Sequence, residues 1–225
     1  MSDELLSCVE IEPESGSARA SVVWLHGLGA DGHDFEPIVS ELRVNPALGV
    51  RFVFPNAPRI PVTLNAGMRM PAWYDITDMD LRHRADEEGV LRSDQQVRRL
   101  LEREIERGIA SDHIVLAGFS QGGAIALHLG LRFELPLAGI LALSTYLVRS
   151  ESLEQEAHEA NRATRIFQAH GAHDPMVPLE RGQEARDRLL AMGYDLYWQR
   201  YPMQHEVCWE EVQAIGGWLN EVLSS

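Results

Sequence analysis

A serine between two glycines stands where a strand-like segment changes into a helix-like one. Residues 113–119 read HIVLAGF, a short apolar run, and residues 121–133 read QGGAIALHLGLRF, a helical pattern. Ser120 joins them, with Gly118 and Gly122 two residues away on either side. So tight a bend leaves no room for side chains at the two flanking positions. The pattern is typical of a nucleophile elbow, although it also fits a Gly-rich turn in which the serine only caps the helix.

The rest of the chain supplies the setting for this turn, because strand-like and helix-like segments alternate along nearly its whole length. Apolar runs predict strands over residues 7–12, 20–25, 51–55, 113–119, 137–144, 165–169 and 195–201. Helical patterns cover residues 34–43, 93–108, 121–133, 150–160, 179–192 and 207–223. Such alternation predicts an α/β fold with a mostly parallel central sheet and helices on both faces. A length of 225 residues suits one domain, 1–225.

Two helix starts carry capping signals. Asp34 is a plausible cap of the first predicted helix, and Ser93 forms a capping box with Gln96 at the start of the second. Gly108 ends that second helix.

Residues 59–92 interrupt the alternation. They show no clear period and contain the bulky residues Met68, Met70, Trp73 and Tyr74. So long an irregular stretch in a compact domain is usually functional or disordered, and its aromatic and methionine content argues against disorder. We expect an excursion that lies over the active-site end of the sheet.

Composition excludes several classes of protein. The formal net charge is −14 and all 20 basic residues are arginine, which argues against nucleic acid and anionic membranes as main partners. No apolar run is long enough for an integral membrane segment and the N-terminus has no signal-peptide pattern, so a cytoplasmic location is expected. Two cysteines, Cys8 and Cys208, are too few for a disulfide framework.

In a parallel sheet, functional residues collect in the loops after the carboxyl ends of the strands. One such loop is HGLG at residues 26–29, a Gly-rich turn whose backbone can supply an oxyanion donor beside an elbow. We assign that donor to the Leu28 N–H and the second donor to the Gln121 N–H. Asp174 follows the strand at 165–169, and His205 follows the strand at 195–201.

Ser120, Asp174 and His205 therefore occur in the order Ser, Asp, His, each after its own strand. This order is typical of hydrolases in which the histidine takes the serine proton and the aspartate orients the imidazole. His170 and His173 stand near Asp174, but no HExxH or HxHxDH arrangement completes a metal site, and we expect neither metal nor cofactor.

Five segments resemble the phospholipase/carboxylesterase family of α/β-hydrolases. They are LHGLGADGHDF (25–35), TLNAGMRMPAWYDI (63–76), GFSQGG (118–123), HGAHDPMVP (170–178) and MQHEV (203–207). The resemblance runs from about residue 20 to 220. It implies a cytosolic serine hydrolase without a large lid that acts on carboxylic esters or thioesters. It also carries the catalytic roles onto Ser120, Asp174 and His205, and the oxyanion-hole roles onto Leu28 and Gln121.

Three functional hypotheses follow. The first is a carboxylesterase acting on esters of short-to-medium acyl chains, a class to which MQHEV is more similar than to the eukaryotic thioesterases. The second uses the same triad as an acyl-protein thioesterase or lysophospholipase, and the third is a non-catalytic binding protein on this scaffold. Leu64, Met68, Met70 and Trp73 are expected either to line an acyl groove or to form the core of the excursion. Exposed apolar residues there, and dimers among the family, make a homodimer a further expectation.

Overall fold

The computed structural model describes residues 5–14, 16–77 and 86–224. Its strands are β1 Cys8–Ile11, β2 Ala20–Leu25, β3 Val50–Pro55, β4 Arg59–Val62, β5 Met68–Pro71, β6 Ile114–Phe119, β7 Gly139–Leu143, β8 Arg165–Gly171 and β9 Leu196–Tyr201. Seven of them form one sheet in the order β1-β3-β2-β6-β7-β8-β9. Only β1 runs antiparallel to its neighbour; the other adjacent pairs are parallel. The predicted mostly parallel sheet is confirmed.

Helices cover both faces of this sheet, as predicted. They are α1 Glu87–Glu106, α2 Gln121–Gly130, α3 Leu153–Glu156, α4 Leu179–Ala191 and α5 Trp209–Val222. Successive side chains of β2 point to opposite faces, so Val22 and Trp24 join the core under α5, whereas Val23 and Leu25 join the core under α1 and α2. Among the described residues, no helix has the length and apolar character that a bilayer crossing requires.

A short hairpin lies within the segment predicted to be irregular. Strands β4 and β5 pair antiparallel, with Arg59 opposite Pro71 and Val62 opposite Met68. The expectation that residues 59–92 contain no regular structure is therefore wrong for the hairpin and for the first turns of α1. Each strand has only four residues, of which two are exposed and one is a proline, so the pair lacks the alternating apolar pattern that identifies longer strands. Residues 78–85 of the predicted excursion lie outside the described residues.

Helix α1 begins six residues before the predicted start. Asp86 is its N-cap and accepts a 2.9 Å hydrogen bond from the Gly89 N–H. Ser93 is buried inside the helix, where its hydroxyl donates to the Trp73 carbonyl, so the predicted capping box at Ser93 is wrong. The helix ends at Glu106 and Gly108 follows with a φ of 95°, which confirms the predicted stop.

Two predicted helices are shorter than expected. The segment at 34–43 is a 3₁₀-helix, Glu36–Leu42, and its N-cap is Phe35 rather than Asp34. The segment at 150–160 reduces to α3 and a 3₁₀-turn, Glu159–Asn161. In α3 only Leu153 is buried, which leaves too small an apolar stripe to stabilise a longer helix.

Candidate active site

The carboxyl ends of four strands bring the predicted functional loops to one edge of the sheet. His26 follows β2, Ser120 follows β6, Asp174 lies three residues after β8, and His205 lies four residues after β9. Because β2, β6, β7, β8 and β9 are parallel neighbours, all four residues lie at the same end of the sheet.

Ser120 has an unusual backbone conformation. Its φ is 55° and its ψ is −120°, a region that L-residues rarely occupy and that costs about 1–3 kcal/mol. The surroundings fix this conformation, because the Ser120 N–H donates to the Leu143 carbonyl at 2.8 Å and the Thr145 hydroxyl donates to the Ser120 carbonyl at 2.6 Å. These hydrogen bonds thus hold the serine at the apex of the turn, directly before the N-terminus of α2.

The two flanking glycines are required by close backbone contacts. A Cβ atom on Gly118 would lie 2.3 Å from the Gly122 carbonyl oxygen. One on Gly122 would lie 2.5 Å from the carbonyl oxygens of Leu25 and His26, at the end of β2. The lack of room predicted at the two flanking positions is confirmed, and the atoms that exclude a side chain there are backbone atoms.

His205 bridges Ser120 and Asp174. Its Nε2 atom is 2.9 Å from Ser120 Oγ, and its Nδ1 atom is 2.6 Å from Asp174 Oδ2. Because an ionised carboxylate only accepts hydrogen bonds, Nδ1 carries the proton and Nε2 is free to accept the serine hydroxyl proton. This is the arrangement that general-base activation of a serine needs.

Asp174 is kept ionised by its neighbours. Burial by itself would raise the pKa of this carboxyl, but the hydrogen bond from His205 and the amides of Val177 and Met176 hold the pKa below its usual value. Both amides donate to Oδ1 at 2.8 Å, which leaves Oδ2 for His205. A fixed negative charge can therefore orient the imidazole and stabilise its protonated form.

His170 lies behind Asp174 and was given no role by the sequence. It is fully buried, and its Nε2–H donates to the Val177 carbonyl at 2.9 Å. The same nitrogen is 3.6 Å from Asp174 Oδ2. Burial lowers the pKa of His170, so the ring is neutral. Its hydrogen bond to Val177 helps to fix the loop whose amides donate to Asp174.

The predicted oxyanion-hole residues, Leu28 and Gln121, lie beside Ser120 on the wall of one cavity. Neither backbone N–H donates to another described residue. The loop before Leu28 is fixed by the His26 ring, whose Nδ1–H donates to the Gly27 carbonyl at 2.7 Å and whose Nε2 accepts from the Ala57 N–H at 3.0 Å.

The side chain of Gln121 connects the elbow to the segment after the hairpin. Its Oε1 accepts from the Trp73 N–H at 2.8 Å, and its Nε2 donates to the Tyr74 carbonyl at 2.7 Å. The Trp73 indole in turn donates to the His26 carbonyl at 2.9 Å. Residues 73–74 are therefore hydrogen-bonded both to the turn that carries Ser120 and to the HGLG loop. The sequence pattern did not reveal this role.

Comparison with known proteins identifies the family. The family model described as Phospholipase/Carboxylesterase matches residues 6–223, nearly the whole chain. The chain belongs to the phospholipase/carboxylesterase family. Its fold is that of the α/β-hydrolases, as the family resemblance implied.

Relatives within the phospholipase/carboxylesterase family include named thioesterases. Acyl-protein thioesterase 1 of Neurospora crassa is 44% identical over 220 residues, covering 94% of this chain and 90% of the relative. The crystal structure of Arabidopsis thaliana SOBER1 is 31% identical with a TM-score of 0.86, covering 92% of this chain and all of the other. Acyl-protein thioesterase 2 of Zea mays is 28% identical with a TM-score of 0.84, covering 96% and 99% of the two chains.

A cavity of about 230 Å³ opens beside Ser120. Its lining is mostly apolar and consists of Gly27, Leu28, Ala30, Asp34, Leu64, Ile76, Phe119, Ser120, Gln121, Tyr146, Met176, Val177 and His205.

Of the four residues predicted to bind substrate, only Leu64 lies on this wall. Trp73 is buried and does not line the cavity, and Met68 is exposed on β5. Four other wall residues were not predicted from the sequence, namely Ile76, Tyr146, Met176 and Val177, although the last two lie only two and three residues after Asp174.

Met70 has a different neighbourhood. Its sulfur accepts from the Asn65 side chain at 3.5 Å and faces Gly29, so it packs between the hairpin and the HGLG loop rather than on the cavity wall. Among the described residues, no group of three or more His, Cys, Asp or Glu side chains is arranged to hold a metal ion.

Proposed function

We propose that this family member is a serine hydrolase that cleaves carboxylic esters of short-to-medium acyl chains through an acyl-enzyme intermediate on Ser120. The observation that carries the proposal is the pair of hydrogen bonds by which His205 connects Ser120 to Asp174. Nowhere else among the described residues do two consecutive hydrogen bonds connect a hydroxyl nucleophile to a base and that base to a fixed carboxylate.

The chemistry follows from these positions. His205 Nε2 takes the Ser120 proton as Oγ attacks the acyl carbonyl carbon, and the imidazolium then protonates the departing alcohol. Asp174 stabilises the charged imidazole throughout. A water molecule, activated by the same histidine, hydrolyses the acyl-enzyme and frees the acid.

The negative charge that develops on the carbonyl oxygen needs donors. The Leu28 and Gln121 N–H groups are free to donate and flank Ser120. The N-terminus of α2 adds its positive dipole end at the same point. Such preorganised donors commonly contribute two to three powers of ten to the turnover rate.

The preference for short-to-medium chains is supported by the cavity. Its volume of about 230 Å³ is below the range of roughly 300–1,000 Å³ that is usual for drug-sized ligands. Leu64, Ile76, Tyr146, Met176 and Val177 supply an apolar wall for the acyl chain. A long chain would extend past exposed Met176 into solvent.

A thioester substrate is the second candidate, and the relatives named acyl-protein thioesterase favour it. The same triad serves both bonds, and a lysophospholipid ester would use it too. A non-catalytic binding protein is disfavoured by the strained Ser120 backbone, because a binding surface gains nothing from this strain.

The test is a matched panel of substrates. Values of kcat/KM are measured for oxygen esters and thioesters with identical acyl chains of four, eight and sixteen carbons, and for a lysophospholipid. The proposal predicts Ser120-dependent turnover of the oxygen esters, highest for the two shorter chains. A clear preference for the thioesters at every length would support the second candidate, and a preference for the lysophospholipid would overturn the simple-esterase assignment.

A further inference from the structure

The wall of the cavity beside Ser120 is mostly apolar, but one residue on it carries a carboxylate. Asp34 lies on the cavity wall in the loop between the HGLG turn and the Glu36–Leu42 helix. The backbone N–H of Asp34 donates to the Asp31 carbonyl. Its carboxylate, by contrast, forms no hydrogen bond or ion pair with any part of the chain that the structure describes.

Asp34 is an exposed residue whose carboxylate lies unpaired on the cavity wall. Partial burial raises the pKa of the Asp34 carboxyl, Asp31 raises it further, and only His26 acts in the opposite sense. Burial also lowers the pKa of His26, and the Ala57 N–H occupies its Nε2 atom, so this ring is neutral and offers no full charge. The chain contains no lysine, and none of the described arginines forms an ion pair with Asp34. A cation that entered the cavity would therefore pair with an anion that has no other partner among the described residues, with the strength of a solvent-accessible ion pair.

The position of Asp34 indicates which part of a substrate would carry that cation. The neighbouring Phe35 ring packs against Phe119 at a centroid distance of 5.6 Å, and Phe119 packs against the His205 ring at 4.7 Å. These ring contacts connect the segment that carries Asp34 to His205, and on this basis we assign Asp34 to the side of the site where His205 protonates the leaving group. The apolar wall formed by Leu64 and its neighbours is the place for the acyl chain.

We propose that Asp34 is a specificity-determining residue that favours esters and thioesters whose leaving group carries a positive charge, such as a quaternary ammonium alcohol or thiol. The inference rests on the proposed function, since it names the substrate class of the same hydrolytic site. It assigns to Asp34 recognition only; the bond that breaks and the proton transfers are those already described for Ser120 and His205.

The test compares two esters of the same shape and different charge. Butyrylcholine carries a trimethylammonium group, and 3,3-dimethylbutyl butyrate carries a neutral tert-butyl group in its place. The ratio of their kcat/KM values is measured for the wild type, for Asp34→Asn and for Asp31→Asn. Asp31 is a matched control because it is, like Asp34, an exposed carboxylate in the same loop, but it does not line the cavity.

The expected ratio in the wild type favours the choline ester by about two- to fivefold at low salt, the range of a solvent-accessible charge pair. Asp34→Asn should bring the ratio close to one, Asp31→Asn should leave it at the wild-type value, and added salt should reduce it. A ratio that Asp34→Asn does not change, or that Asp31→Asn changes equally, would overturn the proposal.

A second pair of esters carries the same cation on the acyl side instead. In one outcome, Asp34→Asn changes the charge preference only for this second pair and not for the choline pair. That result would overturn the assignment of Asp34 to the leaving group. Failure of the proposed function gives a different result, because neither neutral ester would then be hydrolysed faster by the wild type than by Ser120→Ala.

Discussion

The Nε2 atom of His205 lies 2.9 Å from Ser120 Oγ, although 85 residues separate the two in the chain. The contact depends on β6 and β9 ending at the same edge of the sheet, with β7 and β8 between them. Two further strand ends supply Asp174 and the HGLG loop. The proposed chemistry is therefore a consequence of strand order as much as of residue type.

Replacing Asp174 by asparagine should reduce kcat/KM by about three to four powers of ten. The amide would keep the shape of the carboxyl but favour the wrong tautomer of His205, with the proton on Nε2. Hydrolysis of a p-nitrophenyl ester measures the loss. Asp187→Asn, on the exposed side of α4, is the control and should retain wild-type turnover; an equal loss in both variants would contradict the assigned role.

Replacing His170 by leucine should lower kcat about tenfold with little change in KM. The Val177 carbonyl would lose its buried donor, at a cost of about 1–3 kcal/mol, and the loop that donates two amides to Asp174 would be held less firmly. His170→Gln keeps an N–H donor and should recover part of kcat. Separate determination of kcat and KM checks this, and a leucine variant with wild-type kcat would exclude a positioning role.

Replacing Gly122 by alanine should destabilise the fold by several kcal/mol, because the new methyl group would overlap the carbonyl oxygens of Leu25 and His26. Gly217→Ala is the matched control. A Cβ atom at Gly217 has no neighbour within 4 Å, and alanine is the better helix former, so this variant should gain about 0.5–1 kcal/mol. Chemical denaturation measures both values, and equal effects would contradict the close packing at Gly122.

Stability should depend on pH through Glu211. This side chain is fully buried on α5, neither carboxyl oxygen has a hydrogen-bond partner among the described residues, and burial raises its pKa from 4.5 to about 8. The folded chain thus retains a proton that the unfolded chain releases. The contribution of this group to stability is complete below about pH 4.5 and is lost as the pH rises to about 8, by at most about 1.4 kcal/mol per pH unit.

Glu211→Gln tests this dependence, because glutamine stays neutral at every pH. The difference in Tm between Glu211→Gln and the wild type should become more positive between pH 5 and pH 8.5. Glu210→Gln, at the exposed neighbouring position, should show no such trend. A constant difference across this range would mean that Glu211 is already ionised in the folded protein.

Residues that follow apolar strands could be located from the sequence. Ser120, Asp174 and His205 each come soon after a buried or half-buried run, and parallel strands bring such positions to one edge. The helix α2 and the strand β2 were also predicted with nearly their observed bounds, because Gly and apolar runs delimit them clearly.

Features that depend on tertiary contacts could not be located in this way. Trp73 has the composition expected of a substrate wall, yet its indole reaches the His26 carbonyl and its backbone binds Gln121, so it does not line the cavity. Ser93 has a capping pattern, yet its hydroxyl donates to the Trp73 carbonyl and Asp86 caps the helix about two turns earlier. In both cases a long-range hydrogen bond outweighs the local preference.

The proposed hydrolysis depends on His205 activating Ser120, and a fluorophosphonate probe tests this activation most directly. Mass spectrometry of digested protein locates the adduct, and its rate of formation is compared between the wild type and His205→Ala. We predict one adduct per chain on Ser120 in the wild type, and labelling at least 1,000-fold slower in the variant, on the order of the loss expected for a triad member. An adduct at another residue, or equal labelling rates in the two proteins, would contradict the account.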